Sequence, residues 1–231
     1  MAVNLSAFCA ESLRAENFSA ENFDTENISA GIPGAKKRKR KRKMKHKLKI
    51  VVNAPVVISF VLLMFIATLA GILTNGSATN MLFSTYRSSL LSPMTYIRLF
   101  THVLGHTGWS HFLGNATYIL LLGPMLEEKY GSAALVKAIV ITALVTGVVN
   151  YILFPSVALC GASGVVFAVI VLTSFTGCGA GEIPLTFILI AVIFIGQQIF
   201  EGAFVRDNIS QVSHIIGGLV GAVIGYMWNK R

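Results

Sequence analysis

The stretch that decides the fold class reads KKRKRKRKMKHKLK at residues 36–49 and IVVNAPVVISFVLLMFIATLAGILT at residues 50–74. Its first part carries eleven lysine and arginine residues, and its second part has 25 residues without a charged side chain. An apolar helix of about 20 residues is long enough to cross a bilayer core about 30 Å thick. The stretch therefore predicts a membrane-spanning helix with a basic flank, and such flanks are typical of the cytoplasmic side.

The composition of the whole chain also indicates a membrane protein. Of its 231 residues 54% are hydrophobic and 13% are charged, whereas a soluble domain carries about 25% charged residues. The net charge of +9 comes from the run at 36–49, because the rest of the chain is nearly balanced. A basic run can serve nuclear import or RNA binding. Beside an apolar span it is more simply an anchor to anionic lipid, so we expect lipid and no nucleic acid as its partner.

The chain divides into a tail and a membrane domain. Residues 1–49 are polar, include three copies of a short motif beginning at Glu16, and are predicted to be a disordered cytoplasmic tail with a polybasic block beside the membrane. Residues 50–228 are predicted to be an all-α membrane domain of six transmembrane helices, at 50–74, 108–126, 132–154, 162–177, 184–200 and 211–228. The mixed stretch Asn75–Thr107 is predicted to be a structured, membrane-associated loop between helices 1 and 2.

The basic residues outside the spans predict the orientation. With six spans both termini lie on one side, and that side also receives the basic run, Lys129, Lys137, Lys230 and Arg231. Only Arg87, Arg98 and Arg206 fall on the other side. Because cytoplasmic loops carry the excess of lysine and arginine, both termini are expected in the cytoplasm of a multi-pass protein of the cell membrane.

Polar side chains within the spans are candidate functional residues, because each costs free energy in hydrocarbon and tends to face the bundle interior. In the second segment His111 and Asn115 are four residues apart and share a helical face. They could simply join two helices by hydrogen bonds. His102 and His106 have the spacing of two zinc ligands, but no His-Glu-x-x-His pattern or acidic ligand accompanies them. No metal or other cofactor is expected.

The fourth segment opens with Gly161-Ala162-Ser163-Gly164, and its apolar run from Ser163 to Gly177 has 15 residues. As a helix it would rise about 22 Å, less than the bilayer core of about 30 Å. A serine at the end of so short a helix would lie below the membrane surface, where a water-filled cavity can receive the non-helical backbone. Ser163 is therefore a candidate nucleophile, with a purely structural serine as the alternative.

The sixth segment carries His214, followed by Gly217, Gly221 and Gly225 at intervals of four residues. A helix face without side chains lets another helix approach closely. If that helix is the fourth segment, His214 comes beside Ser163 as a general base beside its nucleophile. The same spacing equally allows an interhelical hydrogen bond without chemistry.

Taken together, these residues resemble the rhomboid intramembrane proteases. That family shows His-x4-His-x3-Asn in its second core span, Gly-x-Ser-Gly at the start of the fourth, and His-x2-Gly-x3-Gly in the sixth. The chain has, in the same order, His106-x4-His111-x3-Asn115, Gly161-Ala162-Ser163-Gly164 and His214-x2-Gly217-x3-Gly221. The resemblance extends to 98–101 and 126–132, covers residues 50–228, and implies a rhomboid-like six-helix bundle.

The resemblance implies a serine-type intramembrane endopeptidase that cuts in or next to the transmembrane segments of membrane-protein substrates. Ser163 would be the nucleophile and His214 the base of a dyad without an acidic third member. His111, Asn115 and the backbone N–H of Ser163 would form the oxyanion hole. The structural neighbours of the site would be Gly161, Gly164, Phe167, Gly217 and Gly221.

The chain departs from the family pattern at two positions. Phe167 stands where the family often has a tyrosine that stacks on the catalytic histidine, and Ile97-Arg98 replaces a common Trp-Arg pair. A catalytically silent rhomboid-fold protein, binding membrane clients for trafficking or degradation, is the alternative function. The presence of all the implied catalytic residues favours the protease. A transporter or channel is disfavoured because the six segments lack Asp and Glu and show no two-fold repeat.

Overall fold

The computed structural model of the chain describes residues 50–179, 181–204 and 208–229. The tail at 1–49 and its basic run lie outside the described residues, as do Arg206, Lys230 and Arg231. Eight helices follow one another in the described part: α1 Pro55–Leu73, α2 Ser77–Leu82, α3 Pro93–Thr101, α4 Trp109–Tyr130, α5 Ser132–Leu153, α6 Ser163–Ser174, α7 Leu185–Phe204 and α8 Asn208–Asn229.

The prediction of an all-helical fold is confirmed, since the described residues contain helices and only a single β-bridge, between Thr85 and Leu159. Each of the six apolar segments contains one principal helix, namely α1, α4, α5, α6, α7 and α8. Among the described residues three stretches are long and apolar enough to cross a membrane: Pro55–Leu73, Ser132–Leu153 and Gln211–Asn229. The helix α6 and the first half of α7 are apolar but shorter.

Several helix ends differ from the sequence prediction, and the largest differences are at the start of α1 and at the ends of α4 and α7. The helix α1 begins at Pro55 and not at residue 50. Proline favours the first helical position because an N–H there would have no acceptor within the helix, and because the φ of proline already has a helical value. The helix α4 continues to Tyr130, four residues beyond the predicted end. Glu127 and Glu128, which follow the predicted span 108–126, therefore lie within α4.

Glu127, in the last turn of α4, contacts the start of α1. Its carboxylate is buried and accepts hydrogen bonds from the backbone N–H groups of Val56 (3.0 Å) and Val57 (3.1 Å) and from the hydroxyl of Ser132 (2.7 Å). The first N–H groups of a helix have no acceptor within the helix, and their partial positive charge favours an anion. Glu127 thus caps α1 and joins it to α4 and to the start of α5.

The helix α6 lies at the centre of the bundle. Seven of its twelve residues are buried, and it contacts α4, α5, α7 and α8. A helix that is apolar on all sides is stable only when other helices or lipid surround it. The residues before its first turn, at 154–162, form a strap that leads from α5 to Ser163.

The stretch Asn75–Thr107 is structured and contains α2 and α3. The Nε of Arg98 donates to the carbonyl oxygen of Met81 (2.8 Å), and its guanidinium lies 4.5 Å from the ring centroid of Tyr86. The helix α3 packs against α5. Arg98 therefore joins α3 to α2, although Ile97 replaces the tryptophan that commonly precedes this arginine in the family. The association of this loop with the bilayer remains a prediction.

Candidate functional site

Gly161 is the residue around which the predicted oxyanion residues gather. Its φ is +125°, a backbone conformation that residues with a Cβ rarely adopt. A Cβ at this position would lie 2.8 Å from Nε2 of His111 and 3.9 Å from Nδ2 of Asn115. Both the backbone conformation and the space therefore require glycine, and the two side chains of α4 come together at the strap.

Asn115 presents an unpaired hydrogen-bond donor at this position. The side chain is only 7% exposed, and its Nδ2 atom is buried with no hydrogen-bond partner among the described residues. Burying a donor without an acceptor costs about 1–3 kcal/mol, and folded proteins leave few such groups. An amide held in this way is typical of a group that binds a ligand or a reacting atom.

His111 lies one turn before Asn115 on the same face of α4. Its Nδ1 is 3.3 Å from the hydroxyl oxygen of Thr107. When Thr107 donates to Nδ1, the proton of the neutral imidazole is on Nε2, the atom near Gly161. His111 can therefore supply a second donor beside that of Asn115.

Ser163 is the first residue of α6. The first N–H groups of a helix have no acceptor within the helix, and the helix dipole places a partial positive charge there. The hydroxyl and the backbone N–H of Ser163 thus lie at the helix end that stabilises a negative charge, two residues after Gly161.

His214 lies beside the first turns of α6. Its ring centroid is 4.4 Å from that of Phe167, which also packs on Phe194 at 4.1 Å. Phe167 is four residues after Ser163, so the two side chains share one face of α6. The phenylalanine therefore keeps the ring contact with His214 although it lacks the hydroxyl of the tyrosine common in the family.

The glycine face of α8 packs directly on α6. A Cβ at Gly217 would collide with the carbonyl oxygen of Gly164, and a Cβ at Gly221 would collide with that of Ala168. At Gly225 it would lie 2.6 Å from the ring of Phe175. Backbone contact without intervening side chains holds α8 close to α6, which brings the turn containing His214 to the start of α6.

His106 belongs to the His-x4-His-x3-Asn pattern but was not predicted to have a catalytic role, and it contacts the residue before Ser163. It is 2% exposed, and its Nε2 accepts from the backbone N–H of Ala162 (3.5 Å). Its Nδ1 is 3.1 Å from the carbonyl oxygen of Leu104 and 3.3 Å from the hydroxyl of Thr68. Burial, with a smaller contribution from His111, lowers the pKa of His106 to about 4. The ring is therefore neutral at pH 7 and Nε2 can accept.

The two histidines with zinc-like spacing belong to different networks. Nε2 of His102 contacts the hydroxyl of Thr146 (3.3 Å), whereas Nε2 of His106 faces Ala162. In the part of the chain that the structure describes, no three side chains of the kinds that bind metals come together.

Comparison with known proteins gives the family. Residues 93–231 match the Rhomboid domain family. The Arabidopsis thaliana protein named Rhomboid-like protein 11, chloroplastic, is 22% identical over 139 residues, which cover 54% of this chain and 50% of that protein. Rhomboid protease GlpG from Haemophilus influenzae is 28% identical over 137 residues, covering 58% of this chain and 70% of the relative.

Rhomboid-related protein 2 from Mus musculus is 31% identical over 157 residues, covering 59% of this chain and 52% of the relative. The matched region thus spans about half the length of the plant and mouse proteins. The family match extends over more than half of the chain and includes Ser163, His214, His111 and Asn115. With its apolar helices, this multi-pass integral membrane protein belongs to the rhomboid family.

Proposed function

We propose that the chain is an intramembrane serine endopeptidase that hydrolyses peptide bonds in or next to the transmembrane segments of membrane-protein substrates. The observation that carries the proposal is the buried Nδ2 donor of Asn115, which has no hydrogen-bond partner among the described residues and lies with His111 beside Gly161. Preorganised donors next to a nucleophile stabilise the oxyanion of acyl transfer. The name of the Haemophilus relative, a rhomboid protease, supports the same activity.

The proposed reaction proceeds by an acyl-enzyme. The Oγ of Ser163 attacks the scissile carbonyl carbon while His214 accepts the hydroxyl proton. The carbonyl oxygen becomes an oxyanion, which accepts from Nδ2 of Asn115, from His111 and from the N–H of Ser163. His214 then returns the proton to the leaving amine. A water molecule hydrolyses the ester in the same two steps, with His214 again as the base.

The length of α6 supports cleavage within the membrane. Twelve residues rise about 18 Å as a helix, well short of a bilayer core of about 30 Å. If the other end of α6 reaches one membrane surface, Ser163 lies several ångströms below the opposite surface. Substrate there must be extended to expose a carbonyl, so segments with residues that weaken a helix are the expected class.

A fluorophosphonate probe tests the proposed activity directly. Attack by Oγ forms a bond to phosphorus and expels fluoride, and the phosphonyl oxygen takes the place of the oxyanion. We expect the detergent-solubilised protein to gain one adduct on the peptide that contains Ser163, read by mass spectrometry. His214→Ala should lower the labelling rate strongly, and Ser163→Ala should remove the adduct.

A folded protein that gains no adduct on Ser163 and cleaves no transmembrane substrate would contradict the proposal. That result would favour the catalytically silent protein that binds membrane clients. Heat-unfolded protein serves as the control for nonspecific labelling, because only the folded site combines the serine with its base and donors.

We extend the proposal to topology. The protein crosses the cell membrane six times with both termini in the cytoplasm, where the basic run at 36–49 contacts anionic lipid. A reporter that is active only outside the cytoplasm should stay silent when it is fused after Arg231. Strong reporter activity at that position would overturn the six-span orientation.

A further inference from the structure

Asn150, near the end of α5, is a buried side chain that joins two separate loops. It is 2% exposed, and its Nδ2 donates to the carbonyl oxygens of Thr85 and Val157, each at 3.1 Å. Thr85 belongs to the loop before α3, and Val157 belongs to the strap before α6. Both hydrogens of the amide can therefore be used, one for each loop.

The same two loops form the β-bridge of the fold. The N–H of Thr85 donates to the carbonyl oxygen of Leu159, and the N–H of Leu159 donates to that of Thr85, both at 2.9 Å. An isolated pair of short extended segments is marginally stable by itself. Asn150 adds a third connection from a packed helix, because it donates to the very carbonyl of Thr85 that Leu159 also uses.

The bridge leads directly to the reacting groups. Two residues after Leu159, the N–H of Gly161 donates to the carbonyl oxygen of His102 (2.9 Å), and the next N–H, of Ala162, faces Nε2 of His106. Ser163 follows. A shift of the strap at residues 157–159 would therefore move Gly161 relative to His111 and Asn115.

We propose that Asn150 is a positioning residue for the oxyanion side of the site, a role that rests on the proposed protease function. It touches no reacting atom. It holds the strap in the position at which the backbone of Ser163 and the donors of α4 face one oxyanion. Its Oδ1 has no hydrogen-bond partner among the described residues, so the role belongs to the Nδ2 donor.

Asn150→Asp tests this role with almost no change in shape. Ionised aspartate cannot donate to the two carbonyl oxygens and its charge repels them, and protonated aspartate can donate to only one of them. We expect the rate of Ser163 phosphonylation per folded molecule to fall about 10- to 100-fold, since a misplacement of about 1 Å can cost 10²-fold. The kcat for a transmembrane substrate should fall by the same factor, while KM changes less than about threefold.

Asn150→Leu is the second variant, because the charge introduced by Asn150→Asp could prevent folding. Leucine removes both donors without burying a charge, and we expect the same loss of phosphonylation rate. Tyr151→Phe is the matched control. It removes the 2.6 Å hydrogen bond from the tyrosine hydroxyl to the carbonyl oxygen of Ser88 in the loop before α3, and it leaves the two hydrogen bonds of Asn150 in place. Its phosphonylation rate should stay within about threefold of wild type.

The outcomes separate the inference from the proposed function. If the wild-type protein forms no adduct on Ser163, the proposed function fails first. If the wild-type protein is labelled and both folded Asn150 variants are labelled at the wild-type rate, the inference is overturned. The same conclusion follows if activity falls only in proportion to the unfolded fraction measured in a thermal melt, because Asn150 would then have a purely structural role.

Discussion

Ser163→Ala is expected to abolish cleavage of a transmembrane substrate, with a loss of about 10⁴-fold or more in kcat, and His214→Ala is expected to do the same. The double variant should be no worse than either single variant. A nucleophile without its base and a base without its nucleophile are equally unable to form the acyl-enzyme, so the two losses do not add. The measurement is cleavage of a test transmembrane substrate by purified protein reconstituted into vesicles.

The matched control for this prediction is Ser174→Ala. Ser174 lies at the other end of the same helix, and its hydroxyl donates only to the carbonyl oxygen of Val171 one turn earlier, as far as the described residues show. Its loss should leave kcat within about twofold of wild type, well under the factor of ten that about 1.4 kcal/mol gives. Substantial turnover by Ser163→Ala, with the protein inserted and folded, would rule out the dyad.

The helical character of the chain could be predicted because long apolar segments leave few alternatives in a membrane. Each predicted segment contains a principal helix, and the glycine spacing of α8 indicated a face suited to close packing. Helix ends were less predictable, because apolarity does not distinguish helical from extended backbone at residues 50–54. Glu127 caps α1 by accepting from Val56 and Val57, which are about seventy residues away in the sequence. A pattern of neighbouring residues in the sequence does not indicate a hydrogen-bond partner at such a distance.

The candidate site shows the same limit. His111, Asn115, Ser163 and His214 were candidates because they are polar residues in or beside apolar segments, and the resemblance implied their catalytic roles. Their spacing alone also allowed structural roles. Gly161 was predicted to be a structural neighbour of the site. Its positive φ and its short distance to His111 could be seen only in the structure. Asn150 was missed although it is a polar residue in the third apolar segment, which was a usable signal. Its partners are backbone carbonyls, which every residue has, so the sequence could not name them.

Asn115→Ala provides a test in which activity and stability are expected to respond differently. Removing one donor from an oxyanion hole costs about 10²–10³ in kcat, and KM should change little because the donor acts mainly on the transition state. The buried Nδ2 of Asn115 has no partner among the described residues. Since such a donor costs about 1–3 kcal/mol in the folded protein, its removal should offset the packing that alanine loses.

We therefore expect Asn115→Ala to lose activity while its thermal midpoint stays the same or rises. Thr117→Ala is the matched control on α4, because the Thr117 hydroxyl is exposed and donates to the carbonyl oxygen of Leu113 within the same helix. Kinetics and thermal melts of both variants in the same detergent give the comparison. A parallel loss of stability and activity in Asn115→Ala would mean that the amide holds α4 in place. A donor that stabilises the oxyanion destabilises the resting protein, because it is buried there without an acceptor. It gains its hydrogen bond only in the transition state.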